Sequence, residues 1–102
     1  MQLSTFFISV IMPLAAMADT HASCKCNGDD LCTSRACNGY ASGQKFFNIP
    51  TNAVGPPTSQ PKDGRCYSIF SDNTQFLVFE GLGGNEFKAE CLKACNSGSS
   101  CS

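Results

Sequence analysis

Asn85-Glu86-Phe87-Lys88-Ala89-Glu90-Cys91-Leu92-Lys93-Ala94-Cys95 is the stretch on which the fold turns. Asn85 is a good N-cap, and Glu86 favours the positive end of a helix. Lys93 suits the last turn, and Gly98 lies just past it. Phe87, Cys91 and Ala94 or Cys95 recur at helical spacing, so one face carries an aromatic ring and both sulfurs. A helix whose buried face is mainly cysteine is fastened to its neighbours by covalent bonds.

Upstream lie three strand candidates. Gln75–Leu82 contains the unbroken apolar run Phe76-Leu77-Val78-Phe79, which predicts a central strand covered on both faces. Arg65–Phe70 carries Tyr67, Ile69 and Phe70, and the polar Ser71-Asp72-Asn73-Thr74 joins these two segments as an antiparallel hairpin. Lys45–Ile49, with Phe46 and Phe47, is the third. Pro50–Gly64, with Pro50, Pro56, Pro57, Pro61 and two glycines, is expected to carry no regular structure. Towards the N-terminus, Asp29 caps a short helix that Asn38-Gly39 stops, and Asp19–Ser23 reads as a loose end. The expected fold is α+β: a short N-terminal helix, a three-stranded antiparallel sheet and a C-terminal helix. Phe46, Phe47, Phe70, Phe76 and Phe79 are expected in its core.

The first eighteen residues stand apart from this domain. Leu3–Leu14 is nearly all apolar, and Ala16-Met17-Ala18 has the small-x-small form that signal peptidase cuts. Residues 1–18 therefore read as a removable secretory signal. Residues 19–102 read as one disulfide-stabilised domain beginning at Asp19, secreted and extracellular. That domain is too small to hold itself by apolar burial alone. Its eight cysteines (Cys24, Cys26, Cys32, Cys37, Cys66, Cys91, Cys95 and Cys101) make an even count, and four disulfides are the default reading. Cys24-x-Cys26 and Cys91-x3-Cys95 do not match zinc-ligand spacing, so no metal is expected. Cys24 and Cys26 are too close to pair with each other easily, and Cys91–Cys95 would be strained. At least one bridge should therefore run from the Cys24–Cys37 group to Cys91 or Cys95.

The net charge of −1 and the lack of any run of like charge argue against nucleic acid and against membrane insertion. His21, the sole histidine, falls in the expected loose end. Asp29-Asp30 and Glu86/Glu90 read as a helix start and a solvated helix face. No catalytic group, cofactor or enzymatic activity is expected.

A chain of this layout, with eight cysteines behind a signal and the start Cys24-Lys25-Cys26, resembles the small secreted cysteine-rich proteins of filamentous fungi. Many of those are effectors acting on a host. The resemblance implies a virulence-type role through binding, as a monomer, to a protein target. Gly64-Arg65-Cys66, Phe76 to Asn85, Phe87 and Cys91-x3-Cys95 also resemble, in order, the Kunitz inhibitor pattern. That resemblance implies a serine protease inhibitor presenting Tyr67. Leu82 stands where a family cysteine belongs, however, and Gln75 near the place of another. An antimicrobial or killer-type toxin is a further alternative, disfavoured by the near-neutral charge. Recognition is expected to use the proline-rich loop and its exit: Pro56, Pro57, Pro61, Lys62, Arg65 and Tyr67. Tyr40 joins Tyr67 as a candidate surface contact.

Overall fold

The computed structural model describes residues 19–102; the expected signal segment lies outside them. β1 (Thr20–His21) and β2 (Ser23–Cys26) lead into α1 (Asp30–Gly43). β3 (Thr58–Lys62), β4 (Arg65–Ser71), β5 (Phe76–Val78) and β6 (Leu82–Gly83) follow, then α2 (Gly84–Cys95) and β7 (Ser99–Cys101). The α+β class and the antiparallel sheet are as expected, but the sheet has five strands. Their order is β3-β4-β2-β7, with β5 also paired to β4, and β1 and β6 form a separate two-stranded ribbon. β4 is thus the centre: β3 runs along one edge, and β2 and β5 share the other end to end.

Strict alternation in β4 follows from strand geometry. Cys66, Ser68 and Phe70 are buried while Arg65, Tyr67, Ile69 and Ser71 are partly exposed. The inner face meets α1 and α2 in a core of Cys24, Cys26, Cys32, Cys37, Cys66, Cys91, Ala36, Tyr40, Leu82 and Phe87. Phe46 stacks edge-on to Tyr40 at 5.1 Å and leads on to Phe79 at 6.2 Å, which meets Phe70 edge-on at 5.6 Å. Buried hydroxyls tie the layers together. Ser59 Oγ donates to Cys37 O at 2.7 Å, Ser68 Oγ donates to Phe79 O at 2.5 Å, and Thr33 Oγ1 accepts the Cys26 N–H at 3.0 Å.

Every cysteine is bridged: Cys24–Cys101, Cys26–Cys91, Cys32–Cys95 and Cys37–Cys66. Each bridge joins two different elements, in the covalent sequence β7, β2, α2, α1, β4. The expected link from the Cys24–Cys37 group to Cys91 or Cys95 is made twice.

Several expectations are corrected. α1 runs through Asn38-Gly39 to an αL cap at Gln44, whose N–H bonds Tyr40 O. Gly39 sits where the Glu90 carboxylate of α2 lies against α1, so the glycine serves a close helix crossing rather than a stop. Glu90 is accordingly not on a solvated face: its side chain is 15% exposed and lies 3.3 Å from Lys93. α2 begins two residues earlier than expected, with Gly83 rather than Asn85 as its N-cap. Lys45–Ile49 is not a strand. Phe47 N bonds Gly81 O at 2.9 Å, and Asn48 at φ 54° turns the chain away before a ladder forms. Asp19–Ser23 is not loose, because Thr20 and His21 pair with Gly83 and Leu82.

The proline-rich segment contains β3, paired with β4 from Thr58↔Ile69 to Lys62↔Arg65. Asp63 (φ 52°) and Gly64 (φ 80°) form a two-residue turn with both residues left-handed. In such a hairpin Lys62 and Arg65 are the hydrogen-bonded pair, and Pro61↔Cys66 is a non-hydrogen-bonded pair. Pro61 therefore lacks its N–H at a place where that group would point away from β4, on an edge strand. The second hairpin forms as expected. The Asp72 carboxylate accepts the N–H groups of Thr74 and Gln75 and the Thr74 hydroxyl, which hold its pKa below the ordinary aspartate value.

Candidate functional site

Both helices lie on the inner side of the sheet, and its outer face carries no covering element among the described residues. Antiparallel register decides what that face presents, because paired residues share a side. Lys62 opposes Arg65, Gln60 opposes Tyr67, Tyr67 opposes Ser23, Ile69 opposes Val78, and Ser71 opposes Phe76. Lys25, two residues along β2 from Ser23 and so on the same side of the sheet, is exposed just past the end of the β2–β4 ladder, towards the Arg65 end of β4. The face thus grades from a basic end (Lys25, Lys62, Arg65) through Tyr67 to an apolar end (Ile69, Val78, Phe76).

Phe76 is 74% exposed and Val78 53% exposed. The unbroken run Phe76–Phe79 is therefore not a strand covered on both sides. Leu77 faces inward opposite Phe70, and its neighbours face solvent. A groove of about 280 Å³ on this face is lined by Gln60, Lys62, Asp63, Tyr67, Ile69 and Val78. A smaller hollow of about 230 Å³ lies round the rim, between the start of α1 and the Asp63–Gly64 turn.

The proposed contact residues separate on this frame. Lys62, Arg65 and Tyr67 belong to the outer face. Pro61 faces the α1 side and lines the smaller hollow. Pro56 is exposed on the approach to β3, and Pro57 is buried, its carbonyl accepting from Gln44 Nε2 at 2.8 Å. Arg65 also braces the fold: Nε donates to Ser23 Oγ at 2.9 Å, and Nη2 to Ser23 O and Ser102 Oγ at 3.2 and 3.1 Å. Those acceptors are neutral, so its charge is held in place without being cancelled.

Tyr40 is not a surface contact. It is 2% exposed, its hydroxyl donates to Lys45 O and accepts the Gly83 N–H, and burial pushes its pKa up to about 12. Phe47 and Phe76 are likewise outside the core to which the sequence assigned them, while Phe70 and Phe79 are buried and Phe46, partly buried, packs against the core. Lys25, Ile69, Phe76 and Val78 are the face residues that sequence reasoning missed. The signal for them was the alternation from Arg65 to Ser71, carried across the hairpin to Phe76.

The sulfurs of Cys26, Cys32 and Cys95 lie within 4.8 Å of one another. Each is half of a disulfide, and a bridged sulfur offers no thiolate to a metal. No helix of the described residues is long and apolar enough to cross a membrane. Comparison of the chain with family models, curated proteins and solved structures finds no match.

Proposed function

We propose that the protein is a secreted, non-enzymatic binding protein, effector-like in acting outside the producing cell on a protein target through the outer face of its sheet. The observation that carries this is the apolar surface of exposed Phe76 and Val78 beside partly exposed Tyr67 and Ile69, on a frame crossed by four disulfides. Exposed aromatic and branched side chains gathered on one rigid face are the makings of an interface. Ordering that face costs little on binding, because the bridges and strands already fix it. Four structural disulfides also fit an oxidising compartment.

Loop presentation of the Kunitz kind fits less well. Tyr67 lies within β4, between β2 and β3, and its backbone is not free to enter a protease cleft. The test is a photo-crosslinking side chain placed at position 76 and, separately, at Lys88 on α2. Oxidised protein bearing each is exposed to the medium or tissue in which it acts. A discrete adduct from position 76 and none from position 88 is expected; adducts from position 88 alone would reject the face.

A further inference from the structure

We infer that the outer face takes an extended acidic segment of the partner protein, its carboxylates over the basic end and its apolar side chains over Ile69, Val78 and Phe76. This rests on the reading of that face as the recognition surface.

The charges carry the inference. The chain as a whole is at −1, yet Lys25, Lys62 and Arg65 meet at one end of one face. Like charges directly opposite one another on a sheet weaken it. None of the three forms an ion pair with a carboxylate among the described residues; the contacts of that kind are His21–Asp19 and Lys93–Glu90, both elsewhere. Two acids lie beside the row: Asp63, at the turn, which lines the groove's corner and confines an incoming carboxylate to the β4–β2 side, and Asp30, round the rim in the hollow that Lys62 also lines. Three cations against these two acids still leave a surplus of one positive charge, which an anionic group on the partner would neutralise.

The spacing defines the ligand further. Two residues of strand advance about 7 Å, so the Ile69–Val78 row lies about 13 Å from the Lys62–Arg65 row and Phe76 about 20 Å from it. An extended peptide running parallel to β4 would place an acid over the basic row and apolar side chains four and six residues along. The groove beside Tyr67 and Ile69 receives the first of these. A protein segment is favoured over an anionic bilayer. A bilayer senses the whole molecule, whose charge is negative, and three cations with one outlying phenylalanine fall short of the two strong signals that hold a protein on a membrane.

The probe is a fluorescein-labelled peptide of about twelve residues. It carries two glutamates, then phenylalanine and valine four and six residues on, in a Gly/Ser background, and is titrated by anisotropy at low salt. The glutamate peptide should bind about tenfold more tightly than its glutamine counterpart, with an advantage that fades as salt rises. Lys25→Glu with Lys62→Glu should remove that preference, Phe76→Ser with Val78→Thr should weaken both peptides, and Lys88→Glu should change neither. Equal binding of the two peptides overturns the inference, and does so without any change to the protein. So does equal or tighter binding to phosphatidylcholine vesicles with roughly one quarter phosphatidylserine. If crosslinking at position 76 persists while charge reversal has no effect, the acidic class falls and the recognition face stands; loss of crosslinking at position 76 removes both.

Discussion

Tyr40 shows how much one residue holds in so small a core. Its ring lies between Phe46 and Phe87, and its hydroxyl links the carbonyl of Lys45 at 2.7 Å to the N–H of Gly83 at 2.9 Å. It thereby ties the segment at Lys45, which no ladder holds, to β6. Tyr40→Phe keeps the ring and leaves a buried N–H without an acceptor, which should cost about 1–3 kcal/mol in denaturant unfolding. The phenol also makes stability depend on pH. Burial raises its pKa from 10.0 to about 12, the Gly83 N–H opposes that rise, and the carboxylates of Glu86 and Glu90 add to it. The folded state therefore keeps the proton that the unfolded chain gives up near pH 10. Its contribution is complete below pH 10 and is lost as pH climbs towards about 12. The wild-type unfolding midpoint should fall across that window by more than that of Tyr40→Phe. Parallel falls would mean that Tyr40 does not titrate as its surroundings require.

At the scale of elements, the Asp63–Gly64 turn decides whether β3 exists. Gly64 has φ 80°, and a side chain there would also come within 3.1 Å of Asp30 Oδ1. Gly64→Ala should cost about 1–2 kcal/mol. In a domain of this size that lowers the thermal midpoint by several degrees; no change would show that the turn can adopt another form. This turn also marks where the sequence was legible and where it was misread. Asp-Gly between two extended segments is a strong hairpin signal, yet the four prolines around it outweighed it. The decisive fact, that Pro61 sits at a non-hydrogen-bonded edge position, belongs to the register and not to composition. The helices were readable from local chemistry, down to the Asp29 side chain that caps Cys32 N. Their limits were not, because Gly39 answers to Glu90 on the other helix. For the same reason Phe76–Phe79 read as central: apolar residues in a row say nothing about which of two faces is covered.

For the molecule as a whole, even cysteine counting pointed to four bridges, and strain between near neighbours pointed to pairing across the chain. The actual partners depend on how β2, the helices and β4 stack, which no spacing encodes. Once they are known, two of the bridges form a controlled comparison. Cys26–Cys91 and Cys32–Cys95 span 65 and 63 residues, so loop closure in the unfolded chain stabilises the fold by nearly the same amount through each, about 4 kcal/mol taken alone. Their surroundings differ: Cys26 and Cys91 are both fully buried, whereas Cys95 is exposed. Any difference between removing one pair and the other therefore reports packing and not chain entropy. Cys26→Ala with Cys91→Ala should cost about 1–3 kcal/mol more than Cys32→Ala with Cys95→Ala, because the former empties two buried sulfur positions of the core and the latter, at Cys32, one. Accessibility should order the chemistry in the same way. Limited dithiothreitol, followed by alkylation and peptide mapping, should label Cys32 and Cys95 before Cys26 and Cys91. Equal losses of stability together with simultaneous labelling would show that the core does not distinguish the two bridges, and that the helices are held by chain constraint alone.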